Sequence, residues 1–243
     1  MTEEKPFLLM ISGWGYPPPI WDPLVHQAAP VCDLRVIDPL PLLNSSGDGL
    51  AANAVDQIFH HLPEDRACYA GGWSLGGMIA MQIARHLRPR SLGLLLISAT
   101  DRFCSDETRR WGTPVVELRA MRRNMRRDPE QTLRDFLRQS AFPHERTEAP
   151  WVEVLVRDAD RLDAGLRYLD VTDLRHQDCS LDQPVAFLHG RKDAVVPHTA
   201  SRSMAARIMP SRLDMIEDVG HELPFQRGDA VLHAVRMLAG MSG

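Results

Sequence analysis

The chain has 243 residues, 44% of them hydrophobic, and a formal charge of -4. That length and apolar content can bury a sizeable core in one or two domains, and the mild acidity argues against nucleic acid as the main partner. The four cysteines, Cys32, Cys68, Cys104 and Cys179, are scattered with no CxxC or Cys/His ligand spacing, so neither a disulfide framework nor a metal site is expected.

The chain begins Met-Thr-Glu-Glu-Lys-Pro, and the apolar run that follows extends only from Phe7 to Ile11. It is too short for a signal-peptide core or a membrane span, so the expectation is a cytoplasmic monomer without membrane attachment. Short apolar runs then alternate with longer amphipathic segments, the rhythm of a parallel sheet with crossover helices. The strand candidates are Phe7–Ser12, Asp33–Ile37, Ala67–Gly72, Leu92–Ser98, Val185–His189 and Leu213–Glu217, apolar enough to be buried on both faces as parallel strands are. Between them, Gly49–His61, Leu75–Leu87, Thr199–Ile208 and Asp229–Leu238 read as helices.

From Thr100 to Leu181 the rhythm stops. No segment there reads as a strand, and some eighty residues is too long for one crossover, so 100–181 is expected to be a helical insertion. Residues 1–99 and 182–243 would then form the α/β core. Between Arg109 and Arg138 lie nine arginines, at 109, 110, 119, 122, 123, 126, 127, 134 and 138, against the four acids Glu117, Asp128, Glu130 and Asp135. Such an excess suits docking of an acidic macromolecule; the plainer alternative is a solvated helix face with i,i+4 pairs.

The segment Gly71-Gly72-Trp73-Ser74-Leu75-Gly76-Gly77 follows a strand candidate and opens a helix candidate. That context turns a bare G-x-S-x-G into a nucleophile elbow, in which the serine sits on a sharp turn flanked by residues without bulk. A serine hydroxyl needs a histidine to take its proton and a carboxylate to orient the histidine, here in the chain order Ser, acid, His. Asp193 follows the strand candidate Val185–His189, and His221 follows Leu213–Glu217, so Ser74, Asp193 and His221 all emerge at strand ends, where ligands bind in parallel sheets. Asp101, after Leu92–Ser98, is a rival acid, and Asp218 lies too close to His221 in the chain. Of the other histidines, His189 reads as packing, His198 as a helix start, and His60 and His61 as an exposed helix end. The loop Ser12-Gly13-Trp14-Gly15 ends the first strand, so the Trp14 and Leu75 N–H groups are the candidate oxyanion hole.

Gly13-Trp14-Gly15 with Trp21, the elbow, and the stretch Gly165–Arg175 resemble the pimeloyl-[acyl-carrier-protein] methyl ester esterases of biotin synthesis, which are α/β-hydrolases. The resemblance implies a mostly parallel sheet with a helical lid. It places Ser74, Asp193 and His221 on the family's triad, Trp14 and Leu75 on its oxyanion hole, and Trp14 and Phe136 against the acyl chain. It also implies an acyl carrier protein as partner and no cofactor, and makes Arg122, Arg123, Arg126, Arg127, Arg134 and Arg138 candidates for docking the carrier. The chain departs from the family by lacking the N-terminal β-hairpin and by reading Asp38-Pro39-Leu40-Pro41-Leu42-Leu43 where a glycine-rich loop is usual. The lid arginines do not align one for one. Two other readings share the residues: a short-chain carboxylesterase or acyl thioesterase, and an idle hydrolase fold that only binds a ligand.

Overall fold

The computed structural model describes residues 5–64, 68–87, 91–146, 148–176 and 183–241. Its six-stranded sheet comprises β1 (Phe7–Ile11), β2 (Asp33–Ile37), β3 (Cys68–Trp73), β4 (Ser91–Ile97), β5 (Val185–Gly190) and β6 (Ser211–Ile216). The strand order is β2-β1-β3-β4-β5-β6 and every pairing is parallel. Phe7–Ile11 is the first strand, and no antiparallel hairpin precedes it among the described residues. Each predicted strand forms, with ends moved by a residue or two.

Burial on both faces holds for β1, β3 and β5, whose residues are all buried. It does not hold for β2, which alternates exposed and half-buried before Ile37, nor for β6, which is half-buried throughout. These two are the edges, covered by fewer neighbours, and their Asp33, Arg35, Arg212 and Asp214 already break the apolar run.

Helices cover the sheet: α1 (Asp22–Ala28), α2 (Ala54–Phe59) and α3 (Leu75–Leu87) precede the insertion. The predicted helix Gly49–His61 shrinks to α2. The Asn44 amide bonds Asp48, Leu42 accepts from Ala51 N–H, and Leu43 bridges to Leu50, so the chain from 42 to 51 closes as a loop before any helix begins. Side chains of Asn, Ser and Asp that bond nearby backbone compete with the helix in this way.

After β4 come α4 (Val115–Arg127), α5 (Pro129–Ala141), α6 (Val152–Leu155) and α7 (Ala159–Val171), and then β5. Among the described residues of this stretch only isolated bridges occur, Arg102 with Asp173 and Cys104 with Thr113; the expected end of the insertion at Leu181 lies outside the described residues. The amphipathic faces of α4 and α5 bury Leu118 and Met125, and Leu133 and Leu137, and α4 packs on α7. The Asp128 carboxylate caps α5 by accepting Gln131 N–H, and Pro129 occupies its first turn, where the missing N–H costs nothing. The chain closes with α8 (Thr199–Ala205), α9 (Leu223–Gln226) and α10 (Gly228–Met241). No helix among the described residues is long and apolar enough to cross a membrane.

The chain runs from β1 outward to β2, then returns to place β3 on the other side of β1. The strand order therefore switches direction between β1 and β3, and a crevice opens there beyond the carboxyl ends. Ser12–Trp14 and Ser74 leave the sheet at that point.

Candidate active site

Ser74 stands between β3 and α3 with φ of 56°, a left-handed backbone that L residues rarely adopt. The surrounding chain has no room for side chains: a Cβ on Gly72 would strike the Gly76 carbonyl, and one on Gly76 would strike that of Ile11. Small residues two before and two after the serine are thus a steric requirement. The turn is held by Ser74 N–H donating to Ile97 O at 3.0 Å and Gly77 N–H donating to Ser74 O at 2.9 Å. Ser74 itself is 8% exposed.

Asp193 and His221 reach this serine from the ends of β5 and β6. His221 Nδ1 lies 2.8 Å from Asp193 Oδ2, and His221 Nε2 lies 2.9 Å from Ser74 Oγ. A carboxylate only accepts, so Nδ1 carries the proton and Nε2 is left to accept the serine hydroxyl. Asp193 Oδ1 accepts the N–H groups of Val195 and Val196 at 2.9 and 2.8 Å. Burial by itself would raise this carboxyl, but the electrostatic attraction of the His221 ring and the hydrogen bonds from His189 and His221 hold it well below the usual carboxylate range.

His189 does more than pack. Its Nε2 sits 2.9 Å from the Val196 carbonyl and 3.3 Å from Asp193 Oδ2, while Nδ1 meets Ser201 Oγ at 2.7 Å. The carbonyl requires a proton on Nε2, so His189 donates on this side and braces the acid. Its place four residues before Asp193 was a signal that the apolar context of the strand concealed. The rival acid Asp101 is committed elsewhere: it pairs with Arg109 at 2.5 Å and with Arg207. His60 and His61 lie exposed just after α2, as expected, and His198 stands at the cap of α8.

Above Ser74 opens a cavity of about 520 Å³ between α4 and α5, walled chiefly by Trp14, Met121, Phe136, Leu166, Leu169 and Val195. Trp14 and Phe136 meet edge to face, their ring centroids 4.8 Å apart. Trp14 is fixed by its indole N–H, which donates to Leu162 O on α7 at 2.8 Å, and by Gly165, where a Cβ would collide with the indole. Neither Trp14 N–H nor Leu75 N–H donates to a backbone carbonyl among the described residues. Both remain available to a negatively charged oxygen beside Ser74, and Leu75 opens a helix, where N–H groups point outward and the dipole favours an anion.

The arginines predicted as one patch divide in the structure. Arg109 is buried against Asp101. Arg122 meets Asp163 through two hydrogen bonds, Arg126 shares the same carboxylate, and Arg119 pairs with Asp170. Arg134 and Arg138 pair within α5 with Glu130 and Asp135. Only Arg110, Arg123 and Arg127 of the nine have no ion pair among the described residues, and all three are exposed. The excess counted along the chain is therefore reduced by Asp101, Asp163 and Asp170, acids that lie outside the counted stretch and arrive by packing. Residues that sequence reasoning passed over altogether include Tyr16, Arg146 and Glu222, although a glutamate directly after the candidate base, in a buried loop, was a legible signal.

Residues 8–234 match the model of the alpha/beta hydrolase family. The chain belongs to that family. Within it, the chain is 30% identical over 231 residues to the pimeloyl-[acyl-carrier protein] methyl ester esterase of Nitrosomonas europaea, with 90% of each chain covered. It is 27% identical over 238 residues to the enzyme of the same name from Nitrosospira multiformis, covering 91% of this chain and 89% of that one. The resemblance drawn from the tryptophan loop, the elbow and the lid thus holds across most of this hydrolase. Among solved structures, a hydrolase from Pseudomonas aeruginosa superposes with a TM-score of 0.74 at 22% identity, over 98% of this chain and 91% of that one; at that identity the likeness speaks for the fold.

Proposed function

We propose that this alpha/beta hydrolase is a serine carboxylesterase that removes the methyl ester of a pimeloyl-acyl carrier protein in biotin synthesis. The observation that carries the reading is the hydrogen-bonded line Asp193–His221–Ser74 at the floor of the largely apolar lid cavity. It is supported by relatives named for that reaction, two of which are described above.

His221 Nε2 takes the Ser74 proton as Oγ attacks the ester carbonyl. The developing oxyanion is met by the N–H groups of Leu75 and Trp14, each such donor lowering the barrier by about 3 kcal/mol. His221 then protonates the departing methoxide, which leaves as methanol, and water repeats the sequence on the acyl-enzyme to release the carboxylate. Asp193, kept ionised, holds the imidazole in the tautomer this exchange needs.

The apolar walls suit the methylene chain of the substrate, with Trp14 and Phe136 against it. The carrier protein would sit at the outer end of the channel. Arg123 and Arg127 flank the cavity residue Asn124 on α4 and point to solvent, so they are the strongest candidates to meet an acidic carrier. Arg126, Arg134 and Arg138 are secondary because each already has a partner, and Arg122 serves α7.

The test compares turnover of pimeloyl-carrier-protein methyl ester with that of short nitrophenyl esters and of acyl thioesters, using Ser74→Ala as the control. Preferred hydrolysis of the methyl ester, abolished in the control, is the expected result. Preference for nitrophenyl ester or thioester would reassign the substrate, and no covalent adduct with a fluorophosphonate would make the fold a binding protein.

A further inference from the structure

Glu222 is the next residue after His221, and its side chain is 4% exposed. A carboxylate removed from water is destabilising unless its partners are well placed. Here the Tyr16 hydroxyl donates to Oε1 at 2.6 Å, and Arg146 donates through Nε to Oε1 at 2.6 Å and through Nη2 to Oε2 at 2.8 Å. The three residues come from three different parts of the site. Tyr16 closes the loop that carries Trp14, where Ser12 Oγ donates to Tyr16 O at 2.6 Å. Glu222 belongs to the loop that carries His221, and Arg146 lies in the lid between α5 and α6.

Further bonds tighten the same junction. Glu222 N–H donates to Ser140 O of α5 at 3.2 Å, and Trp73 Nε1–H donates to His221 O at 2.9 Å. The Arg146 guanidinium lies 5.2 Å from the Trp151 ring, whose Nε1–H donates to Gly15 O at 3.1 Å. The Tyr16 ring stacks on Phe225 and meets Trp73 edge-on at 4.6 Å. Burial and the neighbouring Glu222 push the Tyr16 phenol well above its ordinary value, so it remains a donor. None of Tyr16, Arg146 and Glu222 lines the acyl cavity.

We infer that Tyr16, Glu222 and Arg146 form a buried clamp through which the lid sets the relative position of the base His221 and the oxyanion donor Trp14. They are positioning residues, and the inference rests on the esterase reading above. A buried ion pair is a poor source of stability but a stringent one of geometry, because a carboxylate held by three directed donors has few alternative arrangements. Small misplacement of a base or an oxyanion donor is felt in the transition state far more than in substrate binding.

The test uses Tyr16→Phe, Glu222→Gln and Arg146→Met, assayed on a short nitrophenyl ester with active sites counted by fluorophosphonate titration. Each should lower kcat per titrated site about ten- to hundred-fold while KM stays close to the parent value. The Tyr16→Phe/Glu222→Gln double variant should lose hardly more than Glu222→Gln alone, since both disable one clamp. Unchanged kcat per titrated site, with only a lower melting temperature, would overturn the inference and leave a structural ion pair. If Glu222→Gln or Arg146→Met folds poorly, Tyr16→Phe, which removes a single oxygen, decides by the same criterion. Ser74→Ala separates the two levels: turnover surviving in it would refute the esterase reading itself, whereas its loss beside unaffected clamp variants would refute the clamp alone.

Discussion

The strand-end platform and the helical lid solve the problem of placing charge in opposite ways. On the platform, Asp193 is held by N–H groups two and three residues further along its own loop, and Ser74 by a turn whose glycines stand two residues to either side of it. Each group is oriented by chain close to it, and the sheet then brings the loops together. In the lid, Arg122 on α4 finds Asp163 on α7 and Arg109 finds Asp101 after β4. A functional charge can therefore be recognised on the platform from a short stretch of sequence. In the lid, whether an arginine is available depends on which helix packs against it.

The largest effects should fall on the platform. Ser74→Ala and His221→Ala should each lower ester turnover by roughly 10⁵-fold or more, and Asp193→Asn by about 10⁴-fold through the wrong histidine tautomer, with melting temperatures showing that the fold persists. Asp101→Asn should keep the kinetic constants and cost stability instead; the reverse pattern in the two aspartates would move the acid to Asp101.

In the lid, Asp163→Ala should come next. It strands Arg122, whose side chain is 14% exposed, and a half-buried charge without its partner costs about 1–3 kcal/mol, measurable by urea unfolding. Preserved stability would mean that the Arg122 guanidinium finds water or Asp170 instead.

Charge reversal distinguishes the two sorts of lid arginine. Arg123→Glu with Arg127→Glu should raise KM for a carrier-protein ester several-fold, less so at high salt, and leave a nitrophenyl ester unaffected. Arg122→Glu should instead loosen the lid and impair both substrates. Equal loss on both substrates from the Arg123 and Arg127 changes would mean that these residues shape the cavity.

The smallest effect is one of pH. Hydrogen bonds from Arg175, chiefly, lower Asp173 from 3.8 to about 2. A carboxyl depressed in the folded state contributes stability that is complete above its unfolded value and fades as pH falls through the folded one. The melting-temperature deficit of Asp173→Asn should therefore be full at neutral pH and close between about pH 4 and pH 2. A deficit independent of pH would mean that the change acts through packing rather than ionisation.

These contrasts explain what could be read in advance. The inner strands β1, β3 and β5 were visible because buried parallel strands are nearly unbroken apolar runs, the edge strands β2 and β6 from their place in the alternation with helices, and the elbow because its steric demand falls within five residues of chain. The helix from Gly49 was misjudged because the local bonds of Asn44 and its neighbours compete with helical ones. His189 passed for packing because an apolar strand hides the one polar contact its ring makes with Asp193.

By itself the sequence determined the parallel sheet, the left-handed turn at Ser74, and the order in which nucleophile, acid and base leave their strands. Each of these follows from the conformational limits of a few adjacent residues and the alternation of apolar segments. Tertiary structure alone decided that Asp101 serves Arg109 and Arg207, that Asp163 removes Arg122 and Arg126 from the charge excess, and that Tyr16 and Arg146 meet on Glu222. Apart from Asp101 and Arg109, those partners lie far apart in the chain, and a charge acquires its role only when packing excludes water and settles which opposite charge stands within hydrogen-bond reach.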